Sequence, residues 1–235
     1  MTMQDAALQV REAEAVSLVP YVDSFAMSPD LVTLAWDTSG EAESFRALRT
    51  HVVARHIQDG RRALATCAVT PGVGCTFVAA NLAVALSQIG VKTLLIDANM
   101  RNPSVDQLFQ APQRPMGLQQ CLSAADAAYA DFIHEDVIPN LSIMFAGGTP
   151  HNPQELLAMG RFADLMSDCL RHYEMTIVDT PPASSCSDAN RVSSVVGYSL
   201  VVVRRDQTLF SDVKTLINQL ESDRAQVVGT VLTEI

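Results

Sequence analysis

Short apolar runs alternate with longer amphipathic stretches along most of the chain. Short continuous runs are typical of strands buried on both faces, whereas apolar residues spaced three or four apart are typical of helices with one buried side. This alternation indicates an α/β fold: a mostly parallel central sheet with helices on both of its faces. The pattern predicts strands at 63–69, 91–97, 141–145, 175–179, 198–203 and 227–232, and helices at 43–53, 77–89, 153–173, 187–196 and 209–222.

The first 40 residues lack a sustained apolar period and contain Pro20, Pro29 and Gly40. We interpret residues 1–40 as a flexible or loosely docked N-terminal extension. The chain has 235 residues in all, which is the size of one ordinary domain. We therefore assign residues 41–235 to a single domain.

The charge balance and the cysteines exclude several classes of protein. A formal net charge of −10 and a pI near 4.8 make a phosphate backbone a poor ligand, so we expect no nucleic-acid partner. The five cysteines contain no CxxC pair, which argues against structural zinc, and their odd number favours a reducing compartment. The N-terminus lacks the basic and apolar regions of a secretory signal, and we expect a cytoplasmic protein.

The loop after the first predicted strand has the composition of a phosphate-binding loop. It reads Pro71-Gly72-Val73-Gly74-Cys75-Thr76 and leads directly into a helix. Glycines at a strand-to-helix turn let several N–H groups converge, and the helix N-terminus adds a partial positive charge. A nucleotide-binding P-loop normally ends in Gly-Lys-Ser/Thr. Here the hydroxyl that would hold magnesium is present as Thr76, but a cysteine stands in place of the lysine.

Two later strands end in carboxylates. Asp97 ends the strand at 91–97, and Asp179 ends the strand at 175–179. We expect both carboxylates to face the loop, because ligands in parallel α/β sheets bind beyond the carboxyl ends of the strands. Carboxylate and hydroxyl oxygens suit Mg²⁺, so Thr76, Asp97 and Asp179 form the predicted metal site.

The thiol of Cys75 is the most informative departure from a working P-loop. A lysine supplies a full charge and three donors, whereas a thiol is a weak donor. A thiol at a helix N-terminus has a lowered pKa, so the position predicts a thiolate that repels phosphate and reacts rapidly with iodoacetamide.

From about Glu43 onward, the sequence resembles the bacterial tyrosine kinases of polysaccharide synthesis, which are P-loop proteins related to the MinD and ParA ATPases. The matching motifs are Glu43-x-x-Arg46-x-x-Arg49, the loop at 71–76, the segment Asp97-Ala-Asn99-Met-Arg101, and Asp179-Thr-Pro-Pro182. The resemblance implies a P-loop NTPase-like fold and binding of Mg-ATP or ADP by the loop together with Arg101. It also implies a ring of subunits joined through Glu43, Arg46 and Arg49, and a membrane-anchored chain-length or export partner that would bring the chain to the inner membrane.

The sequence departs from the family at the positions that carry catalysis. The family's catalytic positions correspond to Cys75, Asp97, Asn99 and Asp179 in this chain. Cys75 replaces the family's lysine, and Asn99 replaces the second aspartate of the D-x-D-x-R motif. No tyrosine follows Tyr198, where the family has its autophosphorylated cluster. A single cationic group in such a site is worth roughly 10³–10⁵ in rate, so we expect weakened nucleotide binding and little phosphoryl transfer unless Arg101 substitutes for the lysine.

Three functions follow from this combination. The first is a pseudokinase that serves as a regulatory or scaffolding subunit in the synthesis and export of an exopolysaccharide, capsule or holdfast polysaccharide. The second is an active tyrosine autokinase with an atypical P-loop and Tyr21 as its favoured acceptor. The third is a positioning ATPase of the MinD type. For the third, Thr70 stands where that group keeps its own signature lysine.

Overall fold

A computed structural model describes residues 25–111 and 113–234 of the chain. The strands are β1 (Ala26–Met27), β2 (Ala63–Ala68), β3 (Thr93–Asp97), β4 (Phe109–Gln110), β5 (His134–Ile138), β6 (Leu141–Met144), β7 (Met175–Asp179), β8 (Tyr198–Arg204) and β9 (Gln226–Thr233). The α-helices are α1 (Val32–Ala35), α2 (Gly40–Val52), α3 (Cys75–Ser87), α4 (Val105–Leu108), α5 (Leu118–Ser123), α6 (Pro153–Ala158), α7 (Gly160–His172), α8 (Asp188–Val196) and α9 (Phe210–Ser222).

Seven of the strands form one sheet in the order β5-β6-β3-β7-β2-β8-β9. The strands from β6 to β9 in this order are parallel to their neighbours, and the edge strand β5 runs antiparallel to β6. The predicted α/β architecture with a mostly parallel sheet is confirmed. From β2 the chain crosses to β3 on one side, whereas β8 lies on the other side of β2. The loop after β2 therefore lies at a switch point of the topology, where α/β folds bind ligands.

The helices cover both faces of this sheet, as predicted. One apolar cluster joins the sheet to α2 and α3 and includes Phe45 and Leu82. The other joins it to α6, α7, α8 and α9 and includes Leu157, Phe162 and Val192. Within the described ranges, every helix is too short or too polar to cross a lipid bilayer.

Residues 25–40 pack onto the domain, although we expected a loose extension there. Leu31 is fully buried, and β1 pairs antiparallel with β4. The ring of Phe25 stacks on that of Phe145, with 6.1 Å between their centroids. The apolar side chains of this segment are too widely spaced to form a local period, but Phe25, Met27, Leu31, Val32 and Leu34 pack against the folded domain. The rest of the predicted extension, residues 1–24, lies outside the described residues.

Three predicted helices differ from the structure by more than one residue, and one of them, predicted at 77–89, spans Cys75–Ser87. The helix predicted at 43–53 begins at Gly40 and continues into a π-helical turn at Val53–Ile57. The helix predicted at 153–173 is two helices, because Met159 has an extended backbone conformation between them. None of these differences moves the residues of the predicted phosphate site.

Candidate functional site

The loop between β2 and α3 is a backbone cradle. Gly72 and Gly74 have φ angles of +74° and +86°, a left-handed conformation that glycine adopts without strain. Where left-handed residues alternate with residues of other conformations, successive backbone N–H groups point toward one place. In the described part of the chain, no acceptor receives a hydrogen bond from the backbone N–H groups of residues 72–77. The cradle therefore offers unused donors to a ligand.

These donors border a cavity of about 350 Å³ at the carboxyl ends of β2, β3 and β7. All the residues predicted to bind nucleotide line it, namely Pro71, Gly72, Val73, Gly74, Cys75, Thr76 and Arg101. Asn99 lines it as well, and Thr180–Pro182 form part of the opposite wall. The structure thus brings together the three sequence segments that were predicted to meet.

Asp97 and Asp179 lie side by side behind the residues that line this cavity, and neither carboxylate is itself part of the lining. They are paired in register on the neighbouring strands β3 and β7, and both side chains are buried. The hydroxyl of Thr76 donates to Oδ2 of Asp179 at 2.5 Å, and that of Thr66 donates to Oδ1 at 3.2 Å. The hydroxyl of Ser104 in turn donates to that of Thr76 at 2.9 Å. The predicted magnesium ligands therefore converge, and their hard oxygens fit that ion.

Burial dominates the electrostatics of the two carboxylates. It raises the pKa of Asp97 to about 8, with the nearby charge of Asp179 as the second cause. Burial also raises the pKa of Asp179, to about 6. Three backbone N–H groups, from Asn99, Ser104 and Val105, donate to Asp97 and oppose the rise in its pKa without cancelling it. Burial thus disfavours the ionised form of both carboxyl groups, and a bound cation would favour it.

Cys75 is the first residue of α3, which begins two residues before its predicted start, but its thiol is not activated. Burial and the adjacent carboxylate of Asp179 raise the pKa of Cys75 well above its ordinary value. The predicted lowering of this pKa is therefore wrong, because these two effects outweigh the helix N-terminus. A thiol with a raised pKa supplies no positive charge where a P-loop carries its lysine.

Arg101 reaches the cavity but is already engaged. Its guanidinium donates to both carboxylate oxygens of Asp188, from Nε at 2.8 Å and from Nη2 at 3.1 Å. Asp188 is buried in the first turn of α8. Sequence reasoning missed Asp188, although an acid that opens the helix after a strand ending in Asp179 was a usable signal. Asn99 has a local role: its side-chain oxygen accepts a hydrogen bond from the backbone N–H of Asn102 at 3.2 Å.

The predicted subunit-contact residues lie on α2, outside the lining of this cavity. Arg46 forms ion pairs with Glu43, at 2.9 Å, and with Asp37. Arg49 donates to the backbone carbonyl of Ala85 at 3.3 Å. All three predicted residues thus have partners within a single copy of the chain, and the ring contact stays a prediction.

Comparison with known proteins identifies relatives of this chain. A family profile described as "AAA domain" matches residues 62–227. The putative tyrosine-protein kinase CapB of Staphylococcus aureus is 31% identical over 194 residues, which cover 83% of this chain and 84% of CapB. The putative tyrosine-protein kinase EpsB of Ralstonia nicotianae is 33% identical over 193 residues, or 82% of this chain. The match spans only 25% of EpsB, so this chain corresponds to about a quarter of that relative.

Solved structures agree with these relatives. The chimerical protein CapA2B2 superposes with a TM-score of 0.79 at 29% identity, covering 100% of this chain and 99% of that one. The cell-division ATPase MinD of Pyrococcus furiosus superposes with a TM-score of 0.64 at 20% identity, covering 73% of this chain and 71% of that one. The MinD likeness indicates a shared fold only.

Proposed function

The chain belongs to the bacterial tyrosine-kinase family of P-loop proteins, and on that premise we propose that it is a catalytically degenerate member. In this proposal it acts as a regulatory or scaffolding subunit of polysaccharide synthesis and export. The observation that carries the proposal is the presence of Cys75 at the position of the P-loop lysine. Phosphoryl transfer requires cations that offset charge on the transferred group, and a neutral thiol supplies none.

The remaining basic side chains support the same conclusion. Among the described residues that line the cavity, Arg101 is the only basic one, and the buried carboxylate of Asp188 binds its guanidinium through two hydrogen bonds. Of the two lysines in the chain, Lys92 precedes β3, at the end of the strand away from the cavity, where its ammonium lies 5.2 Å from the ring centroid of Tyr173. Lys214 lies on α9, outside the cavity lining.

The site nevertheless keeps the groups needed for weak nucleotide binding. The free N–H groups of the cradle suit a phosphate, and Thr76, Asp97 and Asp179 suit Mg²⁺. We therefore propose that ADP or Mg-ATP binds as a structural ligand, with reduced affinity. Thr76, Asp97 and Asp179 would hold a Mg²⁺ ion, which would offset negative charge at the site.

The partner in this proposal is a membrane-anchored chain-length or export protein, which would hold the chain on the cytoplasmic side of the inner membrane. The family resemblance supports this assignment, and the acidic charge of −10 is consistent with a protein partner rather than nucleic acid.

Titration calorimetry with ADP and ATP, with and without magnesium, tests the proposed degeneracy. The double variant Cys75→Lys/Asn99→Asp restores the cation and the second aspartate, and it should bind Mg-ATP at least about tenfold more tightly than the natural chain. The matched variant Cys75→Ser/Asn99→Asp removes the thiol without adding charge and should bind no more tightly than the natural chain. Equal affinities for the two double variants would contradict the proposal, as would rapid ATP turnover by the natural chain.

The intact cradle favours a second candidate, an active tyrosine autokinase with an atypical P-loop. It predicts phosphotyrosine after incubation with Mg-ATP, with Tyr21, which lies outside the described residues, as the favoured acceptor. Blotting against phosphotyrosine separates the two candidates, with Asp97→Ala as the inactive control. A signal in the natural chain that Asp97→Ala abolishes would select the autokinase, and no signal in either protein would select the degenerate subunit.

A further inference from the structure

Two adjacent carbonyl groups of the cradle are held from outside the cavity. Nη1 of Arg204 donates to the carbonyl oxygen of Gly72 at 2.9 Å. The hydroxyl of Thr233 donates to the carbonyl oxygen of Val73 at 2.8 Å. Neither donor belongs to a segment that the sequence motifs singled out, and neither is among the residues that line the cavity.

The sheet brings these two donors to the loop. Arg204 and Thr233 are register partners at the carboxyl ends of β8 and β9. β8 also pairs with β2, whose carboxyl end leads into the cradle. In the described part of the chain, Arg204 has no carboxylate within ion-pair distance, whereas its neighbour Arg205 pairs with Glu234 at 2.8 Å. The guanidinium of Arg204 therefore remains free to donate to the carbonyl oxygen of Gly72.

Peptide geometry gives these two contacts a consequence for the cradle. In a trans peptide unit, the carbonyl of one residue and the N–H of the next point in opposite directions. A carbonyl of Gly72 that is held outward turns the N–H of Val73 toward the cavity, and an outward carbonyl of Val73 does the same for the N–H of Gly74. The carbonyl of Gly74 accepts from the N–H of Val78 at 2.9 Å, which completes the series.

We propose that Arg204 and Thr233 are positioning residues of the phosphate cradle. They fix the two peptide units whose N–H groups would bind phosphate, and they do so without touching the ligand. This matters more here than in a P-loop with a lysine, because the backbone donors are the main phosphate contacts that remain. The inference rests on the proposed function, since it assumes that the cradle takes a phosphate group.

Cys75 supplies a probe of loop position that needs no nucleotide. Cys75 is only partly exposed and directly follows the braced segment, so a loop that loses a brace should expose its thiol further. The informative variants are Arg204→Met and Thr233→Val, which remove the donors and keep similar volumes, with Arg205→Met as the matched control. Iodoacetamide labelling of Cys75 is followed by mass spectrometry, with Cys186 of the same chain as the internal reference.

We expect labelling of Cys75, relative to Cys186, to rise about fivefold or more in Arg204→Met and in Thr233→Val, but not in Arg205→Met. Affinity for magnesium pyrophosphate, measured by calorimetry, should fall about tenfold in the same two variants. The conservative variants Arg204→Lys and Thr233→Ser keep a donor and should recover part of both effects. Urea midpoints identify a variant that is merely unfolded.

The outcomes separate this inference from the proposed function. If both variants label and bind like the natural chain, the positioning role is overturned and the proposed function stands. If labelling rises but the natural chain binds no pyrophosphate, the loop is braced as inferred and nucleotide binding is refuted. If Arg205→Met produces the same changes, the effect is not specific to the two carbonyl contacts, and the positioning role is overturned as well.

Discussion

At the scale of single residues, the two buried carboxylates set the electrostatic character of the site. Asp97 and Asp179 lie on adjacent strands in register, and burial raises the pKa of both. A carboxyl group whose pKa is higher in the folded chain than in the unfolded chain binds its proton more tightly when folded. The stability that it contributes is therefore greatest at low pH and is lost as the pH rises through the folded-state pKa.

The empty protein should accordingly become less stable between about pH 4 and pH 8, measured as the urea midpoint in the presence of EDTA. Asp179→Asn should raise the free energy of unfolding at pH 8 by roughly 3 kcal/mol, because it removes a buried charge whose pKa is shifted from 3.8 to about 6. The hydroxyls of Thr66 and Thr76 can rotate to suit the amide. This increase in the free energy of unfolding should become smaller as the pH falls toward 4.

The exposed carboxylate of Asp206 provides the control for this experiment. Its side chain is 94% exposed, so Asp206→Asn should leave the urea midpoint unchanged at both pH values. If Asp179→Asn instead lowered stability at pH 8, the carboxylate would be a net stabilising group, and burial would not dominate the electrostatics of the site.

At the scale of elements, the start of α2 depends on one side chain. The hydroxyl of Ser39 accepts a hydrogen bond from the backbone N–H of Ala42 at 3.0 Å and so caps the helix. Ser39→Ala should lower the free energy of unfolding by about 1 kcal/mol in urea melts. Ser44→Ala is the matched control, because that exposed hydroxyl only donates to the carbonyl of Gly40 within the helix. Equal losses of unfolding free energy in both variants would show that the Ser39 cap does not stabilise the helix.

The elements also show which parts of the fold a local pattern can predict. Strands β2, β3 and β7 are continuous apolar runs, and the carboxyl ends of parallel strands share one edge. The meeting of Asp97, Asp179 and the glycine loop could therefore be inferred from the sequence. The strand β5 is different: three of its five residues are not buried, so the run shows no apolar stretch to recognise.

The segment between β3 and β5 was missed because distant contacts hold it. The guanidinium of Arg161 donates to the carbonyls of Cys121, Ala125 and Ala127, and it lies 4.8 Å from the ring centroid of Tyr129. A local sequence pattern cannot identify a hydrogen-bond partner more than 30 residues away in the chain. The pKa of Cys75 was mispredicted for the same reason, since its causes are burial and a carboxylate on another strand. Local composition predicts the loop, and long-range packing determines its chemistry.

At the scale of the whole molecule, the open question is whether copies of the chain assemble through α2. Glu43 is 72% exposed and Arg46 is 28% exposed, although the two are paired. Ion pairs at a surface contribute only about 0–1 kcal/mol. Exchanging the internal partners of Arg46 for those of a neighbouring copy would therefore cost little. The existing pairs do not argue against a ring, and they keep the motif in a helical register that a second copy could contact.

If the ring forms, Arg46→Ala/Arg49→Ala should reduce the mass measured by light scattering to that of a monomer. Arg55→Ala removes an exposed arginine from the π-helical turn that follows the same helix, and it should leave the assembly intact. Because Arg49 also donates to the carbonyl of Ala85, circular dichroism must show that the double variant is folded. A natural chain that is monomeric at high concentration would rule out the ring, as would a double variant that assembles like the natural chain. In either case, the motif on α2 would have only its internal role of joining this helix to α3 and to Asp37.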